Sequence, residues 1–134
     1  MVLMADDDDD DCMLARDAFE ESKASGAFHC VEDGVELLAY LSGFSKEGRE
    51  DQSSLPALIL LDLNMPRKDG RQALMEIKSS PTFRNIPIVV LTTSREEKDM
   101  DFSRDMGANG FITKPAAFDD WIEMMKSLAH TWLG

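Results

Sequence analysis

Residues 57–63 read Ala57-Leu58-Ile59-Leu60-Leu61-Asp62-Leu63, apolar at every position but the sixth. A strand with one wet face alternates polar and apolar side chains, whereas one apolar on successive residues is covered on both faces. The run is far short of the roughly 20 residues that cross a bilayer. It is a core strand that ends at an acid. Residues 86–92, Ile86-Pro87-Ile88-Val89-Val90-Leu91-Thr92, repeat the pattern and end on a hydroxyl. Two such strands call for a sheet with helices on both faces.

The flanking sequence supplies the helices and the remaining strands. Residues 2–5 form a short apolar strand, and residues 9–24 a helix with Cys12, Ala15 and Phe19 on one face and acids in its first turn. Residues 28–31 alternate weakly, as suits a strand near the sheet's edge, and residues 35–41 form a second helix. Residues 42–56 contain Gly43, Gly48 and Ser53-Ser54 and read as one long exposed loop. The helix over 71–79 stops at Ser80-Pro81. The helix over 95–106 has few apolar positions (Met100, Phe102, Met106), which predicts light packing. Residues 110–113 are a last short strand. Phe118, Trp121, Ile122, Met125, Leu128, Ala129 and Trp132 then make a long apolar stripe at helical spacing. Five strands alternate with five helices, and parallel strands joined by right-handed helical crossovers give an α/β fold with one parallel sheet.

The 134 residues suit a single domain over 1–134 with no effector domain attached. With 26 acidic against 14 basic residues the net charge is −12, which argues against direct contact with DNA or RNA. Cys12 and Cys30 have neither zinc nor redox-motif spacing and read as small apolar side chains in a reducing compartment. No signal-peptide pattern opens the chain and no membrane segment follows, so a cytoplasmic location is expected.

Ligands of open α/β sheets bind outside the carboxyl ends of the strands. Here the first strand ends in Asp6-Asp7, the third in Asp62 and the fourth in Thr92, and the fifth runs into Lys114-Pro115. Two like charges about 4 Å apart at an effective dielectric near 20 repel by roughly 4 kcal/mol. Three carboxylates gathered at one edge must raise a pKa, attract the lysine or bind a divalent cation. One lysine under-compensates them, and Mg²⁺ is the expected ion, since it takes one or two carboxylates plus water and phosphate oxygens. Such a pocket suits attack by Asp62 on a phosphoryl group, with Thr92 and Lys114 holding the phosphoryl oxygens.

Four segments carry a family resemblance. Met4-Ala5-Asp6-Asp7, Leu60-Leu61-Asp62-Leu63-Asn64-Met65-Pro66 with Asp69-Gly70, Leu91-Thr92-Thr93-Ser94, and Phe111-Ile112-Thr113-Lys114-Pro115 resemble the receiver domain of two-component response regulators. The resemblance implies a flavodoxin-like (βα)5 three-layer sandwich with strand order 2-1-3-4-5. It implies that Asp62 is the phosphoacceptor, that Asp7 ligates Mg²⁺ directly and Asp6 through water, and that Asn64 gives its backbone carbonyl. Thr92 and Phe111 become a switch pair acting on the face of the fourth helix, fifth strand and fifth helix. The Lys114–Pro115 peptide is expected to be cis. The implied donor is a sensor histidine kinase. The loop before Pro56 and the Trp132-Leu133 ending resemble the small regulators paired with bacterial phytochrome kinases. A downstream protein target and a homodimer through that same switch face complete the expectation.

Other readings of the same residues are weaker. Asp6, Asp8 and Asp10 fit the first positions of a calcium loop, but Asp11 stands where its glycine is needed and Asp17 where its closing glutamate is. Asp8 to Asp11 are then solvated acids with one helix cap among them. A haloacid-dehalogenase-like phosphatase also uses a strand-end aspartate with Mg²⁺, yet it needs an acid two residues further on, where Asn64 stands. An interaction module without phosphorylation would have no use for Asp62, Thr92 and Lys114 together.

Overall fold

A computed structural model describes residues 1–46 and 55–133. Five parallel strands, β1 (Val2–Ala5), β2 (Phe28–Val31), β3 (Leu58–Leu61), β4 (Ile88–Thr92) and β5 (Gly110–Thr113), lie in the order β2-β1-β3-β4-β5. Between and after them run α1 (Asp9–Glu21), α2 (Gly34–Lys46), α3 (Gly70–Lys78), α4 (Glu97–Asp105) and α5 (Phe118–Leu128). The flavodoxin-like order expected from the resemblance is the order observed.

Alternation along the strands divides the core in two. Leu3, Ala5, Ile59, Leu61 and Ile88 point to one side, against Leu37 and Leu41 of α2 and Ala73, Leu74 and Ile77 of α3. Val2, Met4, Leu58, Leu60, Val89 and Leu91 point to the other, against Ala15, Ala18 and Phe19 of α1 and Trp121, Met125 and Leu128 of α5. The inner strands β1, β3 and β4 are buried at every position, whereas β2 and β5 at the edges are partly exposed.

Three expectations shift. α2 continues through Ser42 to Lys46, where a loop is expected: Leu37 and Leu41 anchor the helix in the core, and the weak helix propensity of Ser42 and Gly43 does not end it. The rest of that expected loop, at 47–54, lies outside the described residues. α1 ends at Glu21, closed by the Ser22 amide on the Ala18 carbonyl, and Lys23 takes a positive φ of 59° that ends the helical run. The apolar stripe of α5 does reach Trp132, but the last turn over Ala129–Leu133 is π-helical, and Trp132 and Leu133 still pack on the α1/α5 side of the core.

α4 is lightly packed, as its composition predicts. Its fully buried side chains are polar, Asp99 and Ser103, while Phe102 and Met106 are partly buried on the α2/α3 side.

Candidate functional site

Parallel register builds the pocket. Ala5 pairs with Leu61, so Asp6 and Asp62 follow one place beyond a matched pair, and the Asp62 amide donates to the Ala5 carbonyl at 3.0 Å. Thr92 pairs with Thr113, and the Lys114 amide donates to the Thr92 carbonyl at 2.8 Å. All the strands run the same way, so these residues share one edge of the sheet.

Asp6, Asp7 and Asp62 each offer a carboxylate oxygen within 4.8 Å of the others. Asp6 is 1% exposed and Asp62 7%, while Asp7 faces solvent. The Lys114 ammonium sits among them, 2.7 Å from Asp6 Oδ2 and 3.3 Å from Asp62 Oδ2. It also donates to Asp11 Oδ2 at 2.7 Å. Asp6 Oδ1 accepts from the Asp8 amide at 2.9 Å, and the buried Asp6 Oδ2 faces the Lys114 ammonium alone.

Burial raises the Asp6 pKa to about 6, with the Asp62 charge pushing the same way and the Lys114 ammonium and Asp8 amide holding it back. For Lys114, burial favours the neutral amine, but hydrogen bonds to Asp11 and Asp6 and the charges of Asp6 and Asp62 outweigh it and raise its pKa. Lys114 is therefore the pocket's resident counter-ion, one ammonium among four carboxylates. Clustered hard oxygen donors and a charge that one ammonium leaves uncompensated fit a divalent cation.

Of the remaining expected residues, Thr92 is fully buried at the end of β4, and its hydroxyl oxygen accepts from the Ser94 amide at 3.4 Å. Asn64 is exposed, and its amide donates to Asp62 Oδ1 at 3.3 Å. Phe111 is partly buried on β5 and lines a cleft of about 250 Å³ against α4, together with Met100, Ser103, Arg104 and Ala108. The Lys114–Pro115 peptide, expected to be cis, is trans: no cis peptide occurs among the described residues. The trans form is the lower in energy for an ordinary X-Pro bond, and Lys114 reaches its carboxylates with the bond trans.

Sequence reasoning misses Asp11, which it leaves with the solvated acids. The available signal is its place one helical turn before the fully buried Ala15. The expected single cap is Asp8, which accepts from the Asp10 and Asp11 amides at 2.9 and 3.1 Å.

Also outside the sequence reading is the tether between the β2–α2 turn and the β3–α3 loop. Asp33 Oδ1 accepts from the Glu36 amide, and Asp33 Oδ2 accepts from Arg67 at 2.7 Å from Nε and 2.6 Å from Nη2. These bonds, led by the Glu36 amide, hold the Asp33 pKa below the usual carboxylate range.

Gly70 closes the β3–α3 loop under Asp62. A Cβ at this position would collide with the Asp62 carbonyl oxygen and crowd the Leu63 backbone, so the loop is drawn in only because residue 70 has no side chain. Gly70→Ala is expected to cost about 1–3 kcal/mol, read as a lower urea midpoint at unchanged slope. An unchanged midpoint would mean that the loop has room to move.

A five-stranded parallel sheet in this order, with an acidic pocket and a lysine at its carboxyl edge, defines a receiver-type signalling domain. Residues 2–126 match the response regulator receiver domain, and the chain belongs to that family of two-component signalling modules, which are not classical enzymes. Response regulator Rcp1 of Synechocystis sp. is 35% identical over 133 residues, spanning 99% of this chain and 88% of Rcp1. Among solved structures, the phosphorylated cyanobacterial phytochrome response regulator RcpA is 39% identical with a TM-score of 0.86, covering 99% of this chain and 93% of its own. The Mn²⁺-bound form of Rcp1 is 36% identical with a TM-score of 0.79, covering 98% and 93%. Receiver domains bind divalent metal at an acidic pocket, and Asp6, Asp7 and Asp62 form one here. No helix among the described residues is long and apolar enough to cross a membrane.

Proposed function

We propose that this protein takes a phosphoryl group from the phosphohistidine of a sensor histidine kinase onto Asp62, with Mg²⁺ in the pocket. The observation that carries the reading is the Asp62 carboxylate at the end of β3, 3.3 Å from Lys114 and within 4.8 Å of Asp6 and Asp7. A carboxylate oxygen of Asp62 attacks phosphorus, the phosphorus–nitrogen bond breaks, and the imidazole leaves with the electron pair and takes up a proton. Lys114 turns from its carboxylates to a phosphoryl oxygen, and the Thr92 hydroxyl donates to another. Asp6, Asp7, Asp62 and the Asn64 backbone carbonyl would hold Mg²⁺, which neutralises phosphoryl charge when bound.

The likeness to RcpA, a cyanobacterial phytochrome response regulator, supports a phytochrome-linked kinase as the donor, and we place the transfer in the cytoplasm. The Thr92/Phe111 pair transmits the change to the α4-β5-α5 face, through which the protein meets a downstream protein or a second copy of itself. The cleft lined by Phe111 and α4 supports this route, because a ring at its wall has space in which to turn. Incubation with acetyl phosphate and Mg²⁺ followed by intact mass measurement tests the proposal. The wild type gains one phosphoryl group, and a protein that gains none overturns it.

Mg²⁺ is expected to raise the melting temperature, as a ligand of the folded state does. Asp6 adds a pH dependence with a definite sign. Its native pKa of about 6 lies above its ordinary 3.8, so the native state binds more protons than the unfolded one between those values. Stability from this group therefore falls as pH rises. With cation chelated, the protein should be about 1 kcal/mol more stable at pH 5 than at pH 7 from Asp6 alone. Saturating Mg²⁺ keeps the carboxylate ionised and removes that gain. Urea titrations at the two pH values read it, and equal stabilities in chelator would show Asp6 to be an ordinary acid.

A further inference from the structure

An unbroken chain of hydrogen bonds leaves the acceptor carboxylate, crosses to α4 and returns to the end of β4. Asp62 Oδ1 accepts from the Asn64 amide at 3.3 Å, and Asn64 Oδ1 accepts from Arg71 Nη1 at 3.5 Å. Arg71, one residue into α3, also reaches the Leu63 carbonyl at 3.5 Å, and donates to Asp99 Oδ1 from Nη2 at 2.9 Å and from Nε at 3.2 Å. The other oxygen of Asp99, Oδ2, accepts from the Ser94 hydroxyl at 2.7 Å. The Ser94 amide in turn donates to Thr92 Oγ1 at 3.4 Å. Asp99 is the apex of this arc and the only member that belongs to α4.

Three features make Asp99 more than a surface ion pair. It is 5% exposed, and with Ser103 it makes up the buried side chains of α4, a helix that otherwise rests on partly buried groups. Ser103 donates to the Asp99 carbonyl at 2.8 Å, fixing the turn that carries the carboxylate. Both carboxylate oxygens are engaged, each by a different segment, so neither partner can move without the other or the helix responding. The Ser94 hydroxyl first, and then Arg71, hold its pKa below the ordinary carboxylate range, so it stays ionised throughout.

We propose that Asp99 is a positioning residue that fastens α4 to the phosphoryl site, so that occupancy of Asp62 is read into α4 through Arg71 and Ser94 without passing through Phe111. The inference rests on Asp62 being the phosphoacceptor. A phosphoryl group on Asp62 replaces the free carboxylate that the Asn64 amide now contacts and draws the Thr92 hydroxyl toward itself. Both ends of the arc are then disturbed at once. The displacement converges on Asp99 from its two sides, and α4, with little apolar burial to resist, shifts its equilibrium.

Amide exchange over Glu97–Asp105, with and without beryllofluoride plus Mg²⁺ as a phosphoryl mimic, reads the coupling. In the wild type, exchange in α4 should change by at least about fivefold, the lower end of ordinary coupling between sites. In Asp99→Asn, α4 should exchange at one rate within about twofold in both states, while acetyl phosphate still labels Asp62. Arg71→Lys, which keeps the charge but loses the fork, should give the same collapse and guards against a folding defect in the first variant. Phe111→Ala, which removes only the parallel route through β5, should weaken the α4 response without abolishing it. A merely structural role would raise exchange equally in both states and leave their ratio intact, and that result overturns the proposal. A wild type that takes neither acetyl phosphate nor the mimic overturns the phosphoacceptor reading itself. Labelled variants with an undiminished α4 response overturn only the role of Asp99.

Discussion

Asp62→Asn folds, unfolds no more easily than the wild type, and takes up no phosphoryl group. The loss of labelling is expected to be complete, because an amide oxygen is too weak a nucleophile to replace the carboxylate and its acyl phosphate cannot form. Stability moves the other way. The pocket holds four carboxylates around one ammonium, and removing one negative charge relieves repulsion of about 1 kcal/mol or more at these separations. The Lys114 ammonium loses only its longest contact, at 3.3 Å, and keeps Asp6 and Asp11 at 2.7 Å each. Intact mass after acetyl phosphate treatment and a urea titration in chelator read the two halves separately. Equal labelling of the variant would put the acceptor elsewhere, and a strongly destabilised variant would mean that Asp62 is a structural member of the pocket.

Lys114→Met carries the largest expected effect on stability. The methionine keeps much of the stem and removes the charge, leaving Asp6, almost wholly buried, beside Asp62, Asp7 and Asp11 with no cation. Breaking a buried pair from one side costs about 3–5 kcal/mol. In chelator at pH 7 the variant should lose about 3 kcal/mol. Protonation of Asp6 recovers part of the loss, so the deficit shrinks on acidification. Saturating Mg²⁺ supplies the missing positive charge, and its stabilisation of the variant should exceed that of the wild type. Urea midpoints with chelator and with Mg²⁺ decide the matter. A deficit that Mg²⁺ leaves unchanged would assign the role of Lys114 to packing rather than charge.

The pocket was legible in the sequence because a parallel sheet places the carboxyl end of every strand on one edge. Once residues 57–63 and 86–92 read as doubly covered strands, Asp62 and Thr92 had to share that edge with whatever followed Ala5 and Thr113. The light packing of α4 was legible for a similar reason: its apolar positions are too few to make a stripe. What its pattern concealed is that the inward polar residue is held. Asp99 in a charged helix reads as a solvated acid until Arg71, 28 positions earlier in the chain, is seen beside it. Asp11 is the same case at longer range, since its partner Lys114 lies 103 positions away.

Strand alternation, helix count and the set of residues at the sheet's edge follow from hydrophobic period and from the handedness of parallel crossovers, both of which are properties of consecutive residues, while the sheet order was legible only through the family resemblance. The sharing of one ammonium between Asp6, Asp62 and Asp11, the trans Lys114–Pro115 bond and the arc that closes at Asp99 do not. They depend on where packed helices place side chains distant in sequence, and the burial that makes such charges consequential exists only after the elements have come together.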